Sequence, residues 1–475
     1  MSARLEDNRP PAVAGAFYPG EPETLRGDVR QYLAAAKPRA LAGELRAILV
    51  PHAGYVYSGQ VAAEAFRQLA GDWKTVVLLG PAHHEAVRGA SVWTGGSFLT
   101  PLGAVPVDEK LARELLEASD LFEDSRSPHQ EEHSLEVELP FLQETLRTFE
   151  IVPVLMNTED LNVCRQVGRA LAKVLARRKA LLVISSDLSH YPDRETARRA
   201  DRTSLLALER MEPEFLKMAS DILLERGDRE LHCTFCGEAA LLAGLEALNV
   251  GGATRAEILR YANSADVPHG DPDRVVGYAA AAFLTSSHGA ADDRTVRPEA
   301  AAVLLKTVRT SIEEGLQKKA LRMGPLSEHP ELNLPLNVFV TLWLDGELQG
   351  CIGSIQPRET LLEAVRRLAR DSAFDDPRGI TLGPADVKRL KIEISILSPF
   401  QRVPDAAAIE IGKHGVLLSK GSRRGLFLPD VWEHFSRKED FLDALCEQKM
   451  GLPRQSWHDR DMIFETFTTQ KIEEK

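Results

Sequence analysis

The sequence predicts an α/β domain followed by a smaller α+β domain. Three observations carry this. Short runs rich in Val, Ile and Leu alternate with helical patterns in the first 285 residues; a polar stretch without periodicity follows near residues 286–297; and helices mixed with hairpin signals fill the remainder. The 475 residues are 44% hydrophobic, enough for more than one core.

The runs "RAILVPH" (46–52), "TVVLLGP" (75–81), "EIVPVLM" (150–156) and "ALLVISSD" (180–187) read as strands apolar on both faces. That is the pattern of strands buried between helices. "QVAAEAFRQLA" (60–70) and "QVGRALAKVLARR" (166–178) read as those helices. The domain is expected to span 1–286, with a linker at 287–297 inside "TSSHGAADDRTVRPEA".

The second domain, 298–475, opens on a helix at 302–317. Asp345-Gly346 between two strand-like runs signals a type I′ hairpin. Residues 360–374 read as a helix, 391–397 as a strand, and 415–429 as a second hairpin with a basic turn.

The net charge is −12 and no Lys/Arg-rich block is present, which argues against nucleic-acid binding. No apolar run approaches the roughly 18 residues of a membrane span. The start of the chain lacks a signal core, so a cytoplasmic location is expected. Five cysteines, Cys164, Cys233, Cys236, Cys351 and Cys446, are too few for a disulfide framework.

The chemistry gathers at strand ends. The first strand ends at His52, the second at His83 and His84, and the fourth at Asp187 and His190. In open α/β sheets, sites form outside the carboxyl ends of strands. Cys236 precedes a helical stretch, where helix-terminal N–H groups favour thiolate. A thiolate and two imidazoles form a three-ligand set for iron, copper or zinc. Each group also has a plainer role: a strand-end histidine often only hydrogen-bonds, Asp187 is a capping type, and Cys233-x-x-Cys236 is a weak redox signal. Adjacent His83 and His84 should diverge, so at most one is a ligand. His133, close to acidic residues that favour its charged form, is a second-tier pocket residue or a helix cap.

The ordered motifs "AGAFYP", "PHAGYVYSG", "LGPAHH", "EEHSLEVELPF", "SSDLSHYP" and "CGEAALLAGL" resemble the Memo family across nearly the whole first domain. The resemblance implies the fold of class III extradiol dioxygenases, iron(II) enzymes that open catechol rings. It implies His52, His83 and Cys236 as metal ligands, His190 as the acid-base group, and Asp187 and His133 as pocket residues, with His84 a neighbour. The ring-cleaving enzymes carry a carboxylate where this chain has Cys236. The stretches "LQGCIGSI" (348–355), "GVLLSKGSRRGLFLPDVW" and "FLDALCEQKMGLP" resemble the AMME-syndrome candidate-region family, with Gln349 in place of the usual Arg. Gly350, Cys351 and Gly353 are the candidates there. Cys351 reads either as a nucleophile or as a small core residue, and Arg423 and Arg424 as a solvated hairpin tip or an anion site.

The two families resemble members of a three-part system whose third member is a radical S-adenosylmethionine enzyme, the expected partner. The function expected is a metal-dependent, iron(II) redox or dioxygenase-like protein acting on a small molecule of unknown identity. The alternative is a non-catalytic metal-binding adaptor that docks onto the radical enzyme. A zinc hydrolase is weaker, because Asp187 is the one evident carboxylate base.

Overall fold

A computed structural model describes residues 8–228, 230–285 and 296–474. The chain divides into two compact units, Met1–Asp293 and Arg294–Lys475. Of the expected linker, residues 287–295 lie outside the described residues.

The strands of the first unit are β1 (Glu44–Val50), β2 (Thr75–Pro81), β3 (Ala90–Val92), β4 (Ser97–Thr100), β5 (Gly103–Pro106), β6 (Phe122–Asp124), β7 (Glu150–Met156), β8 (Ala180–Ser185), β9 (Arg255–Asn263) and β10 (Gly277–Thr285). Its helices are α1 (Pro22–Ala35), α2 (Tyr55–Phe66), α3 (Glu109–Ala118), α4 (Ser127–Gln130), α5 (Leu139–Thr145), α6 (Leu161–Leu175), α7 (Arg194–Leu208), α8 (Pro213–Glu225) and α9 (Glu238–Val250).

Eight strands form one sheet in the order β6-β3-β7-β2-β8-β1-β10-β9, and β4 pairs with β5 in a separate ribbon. The central four, β7, β2, β8 and β1, run parallel, so their carboxyl ends share one edge. These are the four strands expected from the apolar runs. Strand alternation explains why they are apolar throughout. Ile48, Val50, Val76, Leu78, Leu181 and Val183 enter one core with α2 and α5 residues. Leu49, Val77, Leu79 and Ile184 are equally buried on the opposite face, where α9 packs against β2 and β8.

The second unit contains α10 (Pro298–Leu316), β11 (Val338–Leu344), β12 (Glu347–Ser354), α11 (Leu361–Arg370), β13 (Leu390–Leu397), β14 (Gln401–Val403), β15 (Gly415–Lys420), β16 (Arg423–Phe427), α12 (Lys438–Met450), β17 (Ile463–Phe467) and β18 (Thr469–Glu473). Two antiparallel sheets result, β12-β11-β13-β18 and β14-β17-β15-β16. Asp345 and Gly346 both have positive φ, 53° and 93°, as a type I′ turn requires. The expected second hairpin is β15–β16. The expected helix at 360–374 stops at Arg370 and widens into a π-turn at Asp371–Asp375.

Candidate metal centre

β1, β2 and β8 deliver His52, His83 and Asp187 to the shared carboxyl edge, just beyond Val50, Pro81 and Ser185. A loop before α9 brings Cys236 to the same place. The approach is close: a Cβ on Gly237 would lie 2.7 Å from the Ser185 carbonyl oxygen. The Cys236 amide donates to the Asp187 carbonyl (3.1 Å) and the Asp187 amide donates to the Cys236 Sγ (3.2 Å).

His52 is buried, with 2% of its surface exposed. Its Nδ1 lies 2.7 Å from the Ser185 hydroxyl, and its Nε2 lies 3.1 Å from the Cys236 Sγ. His83 Nδ1 lies 2.9 Å from Glu132 Oε1. Its ring stacks on that of His133, with centroids 4.9 Å apart and planes 13° from parallel. Among the described residues, two overlapping triads bring potential ligand atoms within 4.8 Å of one another: His52, His83 and His133, and His52, Asp187 and Cys236. His52 belongs to both. The expected ligands His83 and Cys236 fall in different triads.

Asp187 accepts the His52 amide (2.9 Å) rather than capping the next turn. Burial pushes its carboxyl up to about 7, against backbone hydrogen bonds from His52 and Ala53 that pull down. His190 Nε2 lies 4.0 Å from Asp187 Oδ2 and is buried without a hydrogen-bond partner among the described residues. Burial, reinforced by His83, lowers the His190 imidazole to about 4. His84 is exposed, and its ring meets His133 edge-on at 6.5 Å.

Two electrostatic expectations are corrected. Burial lowers His133 to about 4 despite Glu132, so it is neutral near pH 7. Burial, followed by the charge of Asp187, pushes the Cys236 thiol well above its ordinary value. Helix position alone therefore does not yield a thiolate; a cation is needed to stabilise one. Cys233 is a free thiol directed at the Leu188 carbonyl at 3.5 Å.

Nothing in the sequence pointed to Ser185 as a partner of His52 or to Glu132 as a partner of His83. Both stand inside quoted motifs, yet no local spacing links them to histidines 133 and 49 residues away.

In the second unit, the candidates have partners of their own. A Cβ on Gly350 would meet the Ser372 carbonyl oxygen at 2.0 Å, and one on Gly353 would meet the Phe339 ring at 2.2 Å. The Cys351 amide donates to Asp376 (2.8 Å), and the Thr341 hydroxyl donates to its sulfur (3.2 Å). Burial raises the Cys351 thiol, which disfavours the nucleophilic form. Gln349 uses both ends of its amide on the backbone of Ile380. Arg423 binds the carbonyls of Met450 and Gly451, and Arg424 faces Glu465 at 3.9 Å, so this pair holds the hairpin in place.

A mixed sheet whose parallel central strands gather imidazoles, a thiol and a carboxylate at their carboxyl edge defines an α/β domain with a candidate metal centre. Residues 9–282 match the family model for Memo-like protein, and residues 305–472 match that for AMMECR1. The chain belongs to the Memo-like protein family and fuses that domain to an AMMECR1 domain. A MEMO1 family protein of Aquifex aeolicus is 39% identical over 277 residues, covering 58% of this chain and 99% of the relative. A MEMO1 family protein of Methanopyrus kandleri is 38% identical over 288 residues, covering 58% and 98%. The crystal structure of an uncharacterized protein, PH0010 from Pyrococcus horikoshii, is 33% identical, with a TM-score of 0.35, covering 38% of this chain and 94% of that one.

Proposed function

We propose that the first unit is a metal-dependent redox protein that holds iron(II) at the carboxyl edge of its sheet and acts on a small molecule. The observation that carries this reading is the arrangement around His52. Its outer nitrogen is engaged by Ser185, while its inner nitrogen faces the Cys236 sulfur at 3.1 Å. Metal-binding histidines characteristically have the second ring nitrogen fixed in this way. The donor set fits the ion: imidazoles and a thiol suit iron, copper and zinc.

His52, His83 and Cys236 would hold the ion, with Asp187 and His133 beside them. Bound iron supplies Lewis acidity and one-electron chemistry toward a small molecule. His190 is neutral near pH 7 and presents a buried, unpartnered Nε2, so it can take a proton from a bound molecule. Asp187 Oδ2, 4.0 Å away, is the nearest carboxyl oxygen shown to face that nitrogen.

Metal analysis of anaerobically purified protein tests this. Near-stoichiometric iron is expected in the wild type and is lost in both His83→Ala and Cys236→Ala. Absence of metal, or metal that both variants retain, would overturn the reading. A second reading is a metal-carrying adaptor for a radical S-adenosylmethionine enzyme. It is favoured by the use of Asp187 on backbone amides of the site. Oxygen uptake by the iron-loaded protein with a panel of catechols favours the enzyme; silence across the panel favours the adaptor.

A further inference from the structure

The N-terminal arm and the segment 129–138 are far apart in sequence and tightly joined behind the centre. Arg9 is 1% exposed and Glu136 is fully buried. The Arg9 guanidinium donates to Glu136 Oε2 (2.6 Å), to the His129 carbonyl (2.6 Å) and to the Glu132 carbonyl. Glu136 also accepts the amides of Ala12 (2.7 Å) and Val13 (3.0 Å) and the Tyr18 hydroxyl (2.6 Å). The pair is thus charge-balanced, and both its members are extensively hydrogen-bonded. That is the condition under which breaking a buried ion pair is costly.

The arm's hold falls on the backbone of Glu132, whose side chain faces the centre. Its Oε2 accepts the His83 amide (2.5 Å). Its Oε1 accepts the amides of His133 (2.9 Å) and Ser134 (2.9 Å). The same oxygen lies 2.9 Å from His83 Nδ1 and 3.3 Å from His133 Nδ1. The amides around this carboxyl can only donate, so it is suited to the ionised, acceptor-only form. An acceptor-only carboxylate requires the proton of each facing imidazole to sit on Nδ1. The lone pair of each ring is then on Nε2, directed away from Glu132.

We propose that Glu132 is a positioning residue of the metal centre, fixing His83 and His133 as Nδ1–H imidazoles, and that the Arg9–Glu136 clamp of the N-terminal arm anchors it. One carboxylate then sets the tautomer of two rings, and the arm, whose Phe17 ring also packs on His133 with centroids 4.8 Å apart, belongs functionally to the site. This rests on the metal-centre reading above.

The test is titration of the metal-free full-length chain with Co²⁺, following visible absorption, for the wild type, Glu132→Gln, Arg9→Lys and the double variant. Circular dichroism identifies which variants fold. Folded Glu132→Gln is expected to bind Co²⁺ about 10- to 100-fold more weakly, the range usual for loss of a partner that orients a ligand, with an altered ligand-field spectrum. A merely structural residue would lower the melting temperature without changing the spectrum of the folded complex. Arg9→Lys leaves the carboxylate in place but does not reproduce a three-way guanidinium contact; a smaller loss with the same spectral change is expected. The double variant should lose no more than Glu132→Gln, because the arm acts through Glu132.

Wild-type affinity and spectrum in Glu132→Gln would overturn the proposal. If that variant does not fold, wild-type behaviour of Arg9→Lys would overturn it instead. Additive losses would overturn the anchoring role. Failure of the wild type to take up Co²⁺ would sink the metal reading itself, a result visible in the control before any variant is compared.

Discussion

The motif at the carboxyl edge of the first sheet and the motif on β12 of the second unit are both rich in polar and glycine residues, and they use them in opposite ways. Around β12, the Gln349 amide bonds the backbone of Ile380, Asp376 accepts the Cys351 amide, the Ser372 hydroxyl accepts the Ile352 amide, and Gly350 and Gly353 are required by close neighbours. Nearly every polar group there serves the fold. At the first sheet's edge, Ser185 and Glu132 engage Nδ1 of His52 and of His83, and potential ligand atoms of His52, His83, His133, Asp187 and Cys236 gather in two groups that share His52. His190 Nε2 there is buried with no hydrogen-bond partner among the described residues. Polar density alone therefore does not mark a site; what marks it is a cluster of potential ligand atoms held together by fixed partners.

The largest effect that tests this contrast is on Gly350. In Gly350→Ala the new Cβ would sit 2.0 Å from the Ser372 carbonyl oxygen, a backbone atom that cannot swing aside. The expected cost is about 3 kcal/mol, at the upper end for overpacking, seen as loss of an unfolding transition or of soluble protein. Metal content per folded chain should not change. A folded, fully stable Gly350→Ala would show that the β12 glycine is not there for packing, and the contrast would lose one of its sides.

Next in size is Asp201, on α7. It is fully buried, accepts the Ser189 amide (3.0 Å) and the Tyr261 hydroxyl (2.9 Å), and burial pushes its carboxyl up to about 7. The native state therefore keeps a proton that the unfolded chain releases near pH 4. Where the native state binds more protons, stability falls as pH rises. This carboxyl contributes fully below about pH 4, and its contribution is lost between pH 4 and about 7. Asp201→Asn should remove that dependence, so its stability relative to wild type rises across the window in urea unfolding. A wild-type minus variant difference that is flat with pH would show that Asp201 is ionised in the fold.

Much of this was legible in the sequence because the physics was local. Apolar runs identified β1, β2, β7 and β8, and the residues just beyond three of them are the ones the fold assembles. Asp345-Gly346 was legible because a type I′ turn selects for residues that tolerate positive φ. The antiparallel strand β10, "GYAAAAFLT", was not, since Ala is the best helix former and only burial on both faces makes the run a strand. β3 and β6, three residues each, carry too little pattern to detect. The partners of His52 and His83 were hidden for a different reason. Glu132 was visible as an acidic neighbour of His133, and the inference that it keeps His133 charged failed because burial outweighs one carboxylate. Its contact with His83 exists only once the segment around Ser134 folds against Pro81, where the Ser134 hydroxyl donates to the Pro81 carbonyl at 2.9 Å.

The smallest expected effect comes from making one substitution in both units. Cys351→Ser replaces a half-buried sulfur that accepts from Thr341 and whose amide, not its side chain, holds Asp376. A hydroxyl can still accept from Thr341 at a shorter distance, so the cost should be about 1 kcal/mol, that of one imperfect hydrogen bond. Metal content should be unchanged. Cys236→Ser is similarly mild in volume, but its sulfur faces His52 Nε2, and a hydroxyl is a poor ligand for iron, copper or zinc compared with thiolate. It should leave a folded protein that has lost most of its metal. The pair is informative because the thiols resemble each other in isolation: both are partly exposed residues with values raised by burial. If Cys351→Ser lost the metal or Cys236→Ser kept it, the division between a unit that closes its polar groups on itself and one that holds them open would have to be redrawn.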